Sequence, residues 1–386
     1  MALSVSVSAA FLAESDGSLQ PAGPYYKRRV SQANHPITFA LVCALFTGVA
    51  CSKHGKLAAP AAPLTPPTRL CSTNEAPPAC RDVRGLEQLL DAEGSILGMS
   101  DTPSGAQGAK VLTLRAKLTG RETVLRTKWR PQSSGDLINE PRKELASYAV
   151  QKLFLSESEF VIPPTVAHCF PLAEYRKFAP DEPSSFEAAD CVLGFESYWL
   201  ENVRTVEKAR ETGLMAPGDG IWDAKLFDRD ALYRNSVSSA NVLTFVIRHG
   251  DAHNGQFLLE STRHGLRAFV VDNSVAFLSV PNPMLLFRED WGEIQVPRLP
   301  ARAIERLRKL SDADFARLGT VTEFELRGRQ LYPARTPSEP AIRDDRAMSW
   351  HGSRLRIGLT ANEIALVRSR VRTLLERPDL PQLLAP

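Results

Sequence analysis

The feature that most constrains this chain is the stretch "KVLTLRAKLTGRETVLRTKWR", Lys110 to Arg130, in which apolar and polar residues alternate on both sides of Thr119-Gly120. A period of two sends successive side chains to opposite faces of a strand. Two such runs joined by a two-residue turn predict a β-hairpin. Before it comes "SGAQGAK", a loop in which Gly105 and Gly108 either shape a turn or offer amides to a phosphate. After it, "EPRKELASYAVQKLF" spaces Leu145, Tyr148, Ala149, Lys152 and Leu153 one to two turns apart, with Pro141 suited to a first helical turn and Glu144 early in the helix. "FVIPPTVAHCFPL" and "CVLGFESYWL" read as two more strands. Further on, "LPARAIERLRKLSDADFARL" and "LTANEIALVRSRVRTLLER" read as helices. The second opens with Thr360 and Glu363 as a capping box and carries Ile364, Val367, Val371, Leu374 and Leu375 on one face. The expected fold class is α+β, a β-rich region with one helix followed by a largely α-helical C-terminal half.

Between these halves lies "IRHGDAHNGQFLL", Ile247 to Leu259, where polar residues and glycines interrupt apolar sequence. Val242–Ile247 reads as a strand before it and "FLL" as another after it, so the chain turns there with Asp251, His253, Asn254 and Gln256 displayed together. A hydrophilic turn held by local Asp and Asn hydrogen bonds is the plainer alternative.

The 386 residues, 43% hydrophobic and 24% charged, suffice for one large or two medium domains. With 47 Lys+Arg against 44 Asp+Glu, the net charge of +3 is too small to argue for electrostatic binding of nucleic acid or of an acidic membrane surface. The N-terminal part differs in composition. A basic cluster (Lys27, Arg28, Arg29), an apolar run from Ile37 to Ala50 and small residues before Cys51 have the layout of a secretory signal. The run is shorter than the roughly 20 residues a membrane-spanning helix needs. Gly48-Val49-Ala50-Cys51 resembles the processing box of bacterial lipoproteins, which implies lipid attachment at Cys51 and an extracytoplasmic, membrane-anchored protein. The Pro- and Ala-rich segment after it reads as an extended tether.

Of the six cysteines, Cys43 lies in the apolar run and Cys51 at the processing point. The remaining Cys71, Cys80, Cys169 and Cys191 permit three connectivities, among which Cys71 with Cys80 and Cys169 with Cys191 are the neighbours in sequence. The absence of Cys-x-x-Cys argues against a zinc ribbon, and that of Gly-x-Ser-x-Gly against a serine hydrolase.

Taken in order, these pieces resemble a protein-kinase-like fold, and more narrowly its atypical branch, the phosphatidylinositol 3- and 4-kinases and the secretory-pathway kinases of the four-jointed type. "GDAHNGQFLL" is similar to that branch's "GDRHNxNxL" loop and "AFVVDNSVAF" to its metal-binding Asp element. "VLRTKWRP" resembles the strand of the ATP-site lysine, and "KELASYAVQKLF" the helix that carries its acidic partner. The resemblance implies a bilobal molecule, with 1–51 an N-terminal extension and signal, 52–85 a tether, 86–200 a small β-rich lobe with one helix, and 201–386 a mainly helical lobe. It implies ATP and Mg2+, with Mn2+ as an alternative ion, and a hydroxyl-bearing acceptor on a protein, sugar or lipid.

By residue, the resemblance makes Asp251 the catalytic base and His253 its companion, while Lys128 and Glu144 are the ATP-site pair and Gly105 and Gly108 cover the phosphates. Asp272, Gln256 and Asn254 become the metal ligands, and Glu196 to Asn202 the hinge that holds adenine. Such a set fits phosphoryl transfer, which depends on positioning and charge neutralisation more than on covalent chemistry. Two positions depart from the pattern: Gln256 stands where Asn is expected, and Ser274 where Gly follows the Asp-Asn pair. Both leave open an exported pseudokinase that acts as a binding module. A metal-dependent hydrolase with His249, Asp251 and His253 as ligands is a further alternative.

Overall fold

In a computed structural model of the chain, Thr119 and Gly120 both take positive φ, 49° and 81°. A two-residue hairpin turn matched to strand twist requires such angles, and the hairpin expected from the alternation is there. The structure describes residues 69–72, 79–92, 94–103, 108–134, 139–218, 220–278, 291–334 and 346–384. The expectations for the basic cluster, the apolar run, Cys43, Cys51, the first part of the 52–85 tether and Gly105 lie outside the described residues; from Arg69 the expected tether is instead folded, Arg69–Ser72 pairing with Ala79–Asp82 and Val83 opening a helix. The described residues all fall within one compact unit, 63–386.

The first described elements are the hairpin β1 (Arg69–Ser72) and β2 (Ala79–Asp82) and helix α1 (Val83–Leu90), whose N-cap Asp82 accepts from the amide of Gly85. Then come β3 (Gly94–Asp101), β4 (Lys110–Leu118), β5 (Arg121–Pro131), α2 (Arg142–Phe154), β6 (Thr165–Pro171), α3 (Leu172–Tyr175) and β7 (Cys191–Tyr198). The five strands β3 to β7 form one antiparallel sheet in the order β3-β4-β5-β7-β6. The alternation assigns its faces. Leu112, Leu114, Leu125, Trp129 and Val192 pack with Leu86, Leu89 and Leu90 of α1, while Leu193 and Phe195 pack with Leu145 of α2 on the opposite side.

The chain continues through β8 (Val203–Thr205), α4 (Val206–Glu211), α5 (Ala224–Arg229) and α6 (Ala231–Val246) to the hairpin β9 (Phe257–Thr262) and β10 (Gly265–Val270). Strands β10-β9-β8 form a small sheet against α6. Asp230 links the two: its Oδ1 caps α6 through the amides of Leu232 and Tyr233, and its Oδ2 accepts from the amide of Leu266 at 2.8 Å. Helices α7 (Ala301–Arg308) and α8 (Asp312–Ala316) follow, then β11 (Thr322–Arg327), β12 (Gln330–Pro333), β13 (Met348–His351), β14 (Arg354–Ile357), α9 (Ala361–Leu375) and α10 (Leu380–Leu383). The described residues thus make a mixed α+β fold with several antiparallel sheets and ten α-helices.

Two expectations are corrected. Val242–Ile247 is not a strand; it is the last turn and C-cap of α6. Every residue from Ser236 to Val246 on that helix is buried, and an apolar run buried on all sides carries no period by which strand and helix differ. The C-terminal half is also not largely α, because β11–β14 build a four-stranded sheet in the order β12-β11-β14-β13. Its strands are only four to six residues long, too short to impose a visible period. Phe324, Leu355 and Ile357 of this sheet pack onto Leu145, Leu193 and Phe195.

Disulfides join Cys71 to Cys80 and Cys169 to Cys191, the pairs nearest in sequence. Both are compatible with an extracellular protein. Among the described residues no helix is long and apolar enough to cross a membrane.

Candidate functional site

Strand β5 delivers Lys128 and, two residues on and therefore on the same face, Arg130. Helix α2 packs against that face and brings Glu144, on its first turn, to meet them. The Lys128 Nζ donates to Glu144 Oε1 at 2.8 Å and lies 3.3 Å from Asp272 Oδ1. Arg130 is 2% exposed, and its Nη1 reaches Asp272 Oδ1 at 3.3 Å, Ser274 Oγ at 2.6 Å and Asn139 Oδ1 at 2.9 Å. Burial alone would lower the pKa of the Lys128 ammonium, but the carboxylates of Asp272 and Glu144 hold it above its ordinary value. Beside Lys128, and with Arg130 adding to the effect, the Asp272 carboxyl is held far below the usual carboxylate range.

Asp272 follows β10 in a left-handed conformation, φ 60° and ψ 53°. Arg248 (φ 45°) and Phe277 (φ 60°) share that region of backbone space. Left-handed angles in non-glycine residues are costly and gather where the surroundings over-determine a functional geometry. Here the surroundings are explicit. Gly250 N donates to Val275 O at 3.1 Å, Phe277 N to Ile247 O at 2.7 Å, and Val271 N to Gln256 O at 2.9 Å. These bonds stitch the loop after α6 to the segment after β10. Glu140 N donates to Ser274 O at 3.0 Å and Asn273 N to Glu144 Oε2 at 3.2 Å, which ties the start of α2 to the same segment.

In the loop after α6, Gln256 Nε2 donates to Asp251 Oδ2 at 3.2 Å, and His253 Nε2 stands 3.5 Å from Asp251 Oδ1. His253 Nδ1 accepts from the amide of Gly255 at 3.1 Å. A side chain at Gly255 would begin 2.8 Å from the His253 ring, so the glycine is what lets the imidazole fold back over the loop. Gly250 is constrained in the same way, since a Cβ there would meet Leu278 at 2.6 Å. His249 is fully buried, and its Nδ1 accepts from the amide of Asp251 at 3.2 Å. Burial pushes the His249 pKa down, while Asp251, Asp272 and Glu144 are all near enough to oppose that shift electrostatically. Asp251 and Asp272 therefore share one neighbourhood, and His249 serves there as a buried neutral support.

Lys128, Glu144 and Asp272 thus meet directly, and Asp251, His253 and Gln256 meet in the loop after α6, while Gly105 lies outside the described residues. Gly108 is described and turns at φ 73°. Of the hinge expected near Glu196 to Asn202, the first residue turns its side chain away from Lys128. Glu196 is wholly buried within β7, on the sheet face opposite Lys128, with neither carboxylate oxygen hydrogen-bonded and burial raising its pKa. Of the three residues expected to hold Mg2+, Asp272 and Asn254 have suitable hard oxygens. Asn254 Oδ1 is buried without a hydrogen-bond donor. Gln256 instead spends its amide on Asp251. Among the described residues no three His, Cys, Asp or Glu are grouped to hold a metal, so His249, Asp251 and His253 do not form a coordination sphere.

Arg130, Asn139 and the role of Ser274 were not anticipated. The spacing Lys-x-Arg on an alternating strand was the available signal for Arg130; Asn139 and Ser274 reach it only through folding. No protein-family model matches the chain, and comparison with curated proteins finds no match either.

Proposed function

We propose that this chain is an atypical, protein-kinase-like phosphotransferase that moves a phosphoryl group from ATP to a hydroxyl of an extracytoplasmic protein, sugar or lipid. The observation that carries the reading is the Lys128–Glu144 pair at 2.8 Å with Asp272 Oδ1 3.3 Å from the same ammonium. The element order also supports it. A five-stranded antiparallel sheet has its one long helix between the third and fourth strands, and the helix α6, polar loop and β9–β10 hairpin lead to Asp272. In this reading residues 86–200 and 201–386 are the two lobes, and the sheet β11–β14 is an addition to the second.

The chain's own residues divide the work. Lys128, oriented by Glu144, neutralises the nucleotide phosphates. Asp251, steadied by Gln256 and by the His249 support beneath its amide, accepts the proton of the attacking hydroxyl. His253 stands beside Asp251, facing the transferring group. Asp272 and Asn254 are the residues that would hold Mg2+, which when bound supplies charge neutralisation at the phosphates. Export and lipid attachment at Cys51 belong to the same proposal, with the two disulfides as support.

A second reading is a pseudokinase that binds nucleotide without turnover. It is favoured by one observation: the Gln256 amide is turned to Asp251. The test is a thermal-shift titration with ATP and Mg2+ together with a phosphotransfer assay. We expect stabilisation by the nucleotide, its loss in Lys128→Ala, and abolished transfer with retained binding in Asp251→Ala. Binding without transfer under all conditions identifies the pseudokinase. Absence of nucleotide binding in the folded wild type removes both readings.

A further inference from the structure

We infer that Arg130 and Ser274 form a clamp that turns Asp272 into a one-oxygen metal ligand, so that the serine in place of the usual glycine is a working part of the site. This rests on the phosphotransferase reading and adds to it two positioning residues.

The geometry is asymmetric. Asp272 Oδ1 receives Lys128 Nζ at 3.3 Å, Arg130 Nη1 at 3.3 Å and the Ser274 hydroxyl at 3.2 Å. Among the described residues Oδ2 has no hydrogen-bond partner. The Asp272 side chain is nevertheless 43% exposed while that of Arg130 is 3% exposed. The carboxylate therefore commits Oδ1 to three donors and leaves Oδ2 free of them on a partly exposed side chain. Ser274 closes the clamp, accepting from Arg130 Nη1 at 2.6 Å while donating to Asp272 Oδ1. Asn139 Oδ1 holds the same Nη1 at 2.9 Å from the far side. A glycine at 274 would remove the hydroxyl and leave the arginine and the carboxylate joined only by the longer contact.

Arg130 acts through Asp272 and does not touch a ligand. Its Nε and Nη2 are buried and have no hydrogen-bond partner, so no phosphate reaches them. Leaving two guanidinium nitrogens dry and unpaired is unfavourable, and the single nitrogen that is used points at the Asp272–Ser274 pair. Charge also balances: Lys128 and Arg130 offset Glu144 and Asp272, so Oδ1 is neutralised and only Oδ2 is offered to a cation. A carboxylate held this way would offer one oxygen to Mg2+, a cation that takes few carboxylate oxygens and keeps several waters.

The test measures Mn2+ affinity by paramagnetic resonance of free Mn2+ in the presence of a non-hydrolysable ATP analogue, and nucleotide affinity without metal, in Ser274→Ala, Arg130→Lys and Asp272→Ala. We expect Ser274→Ala and Arg130→Lys to weaken Mn2+ binding about tenfold, equivalent to roughly one hydrogen bond, with metal-free nucleotide affinity unchanged. Arg130→Lys keeps the charge but loses the fork; Ser274→Ala keeps the charge and deletes one oxygen, so it remains informative if the arginine variant does not fold. Asp272→Ala should abolish Mn2+ binding. If it does so while folded Ser274→Ala binds Mn2+ as wild type does, the clamp is overturned and the functional reading stands. If Asp272→Ala itself leaves Mn2+ affinity unchanged, Asp272 is no metal ligand and both fall.

Discussion

Gln256 and Asn254 divide a task that the resemblance gives to both. Gln256 reaches Asp251 with its amide nitrogen, whereas Asn254 keeps a buried carbonyl oxygen without a donor. Asn254→Ala is therefore expected to weaken Mg2+-dependent nucleotide binding, read by thermal shift with and without the metal. Gln256→Ala should lower kcat about tenfold, the equivalent of about 1.4 kcal/mol, while leaving nucleotide affinity unchanged. Equal loss of metal affinity in both variants would show that the two amides ligate together. Glu196 poses a different residue-scale question, because no counter-charge compensates its burial and the adjacent Thr127 hydroxyl offsets it only in part. His168 Nε2 is 3.8 Å away, but burial lowers the pKa of that imidazole and keeps it neutral, so it provides no counter-charge. A carboxyl whose folded pKa is raised contributes stability that is complete below the unfolded value, about 4.3, and is lost as pH rises through the folded value. Glu196→Gln should then exceed the wild type in stability at pH 7.5, by on the order of 2 kcal/mol. The gap should close near pH 4.5, measured by urea unfolding at the two pH values.

Helix α2 is the element on which the site depends, and its first turn is held from several directions. Arg142, buried, forms a two-pronged pair with Glu363 at 2.8 and 3.1 Å and donates to Gly358 O at 3.2 Å. Glu363 also accepts from the Thr360 amide at 2.8 Å, so the capping box of α9 and the anchor of α2 share one carboxylate. Leu145 packs under Phe324, Leu355 and Ile357, and Glu144 between these anchors faces Lys128. Removing Glu363 leaves the buried guanidinium with the carboxylate of Glu140, whose Oε2 accepts from Arg142 Nε at 2.8 Å, so the loss should fall short of the about 3 to 5 kcal/mol typical of a buried charge left unpaired. Glu363→Ala should lower Tm accordingly. A urea series that shows less than about 1 kcal/mol of loss would mean that Glu140 suffices to hold Arg142.

At the scale of the whole molecule, one disulfide ties β6 to β7, and the sheet β11–β14 packs residues from late in the chain onto α2 and β7. The Cys169–Cys191 bridge closes a loop with a sequence separation of 22 between β6 and β7. Deleting it in a Cys169→Ser, Cys191→Ser double variant should cost about 3 kcal/mol, seen as a lower urea midpoint. The export proposal makes its own claim. Mass spectrometry of native protein should find a chain that begins at or near Cys51 with Cys71, Cys80, Cys169 and Cys191 oxidised. An intact Met1 with four free thiols would overturn the localisation.

The sequence by itself determined the local pieces whose physics is local. Alternation around Thr119-Gly120 specified the hairpin and Thr360 and Glu363 the start of α9, whereas the four cysteines left three connectivities open and folding chose the pairs nearest in sequence. Lys128, Glu144, Asp251 and Asp272 could be singled out because their residue types sit in recognisable surroundings along the chain. Tertiary structure alone decided the rest. Val242–Ile247 is helical because burial on every side erases the period that would separate helix from strand. The sheet β11–β14 exists because Phe324, Leu355 and Ile357 have a hydrophobic surface to cover, which no strand of four to six residues announces. Arg130, Asn139, Ser274, Arg142 and Glu363 acquire their roles only where segments far apart in the chain meet. A charge reveals its partner once both have left water together, and the one-dimensional order of residues does not contain that event.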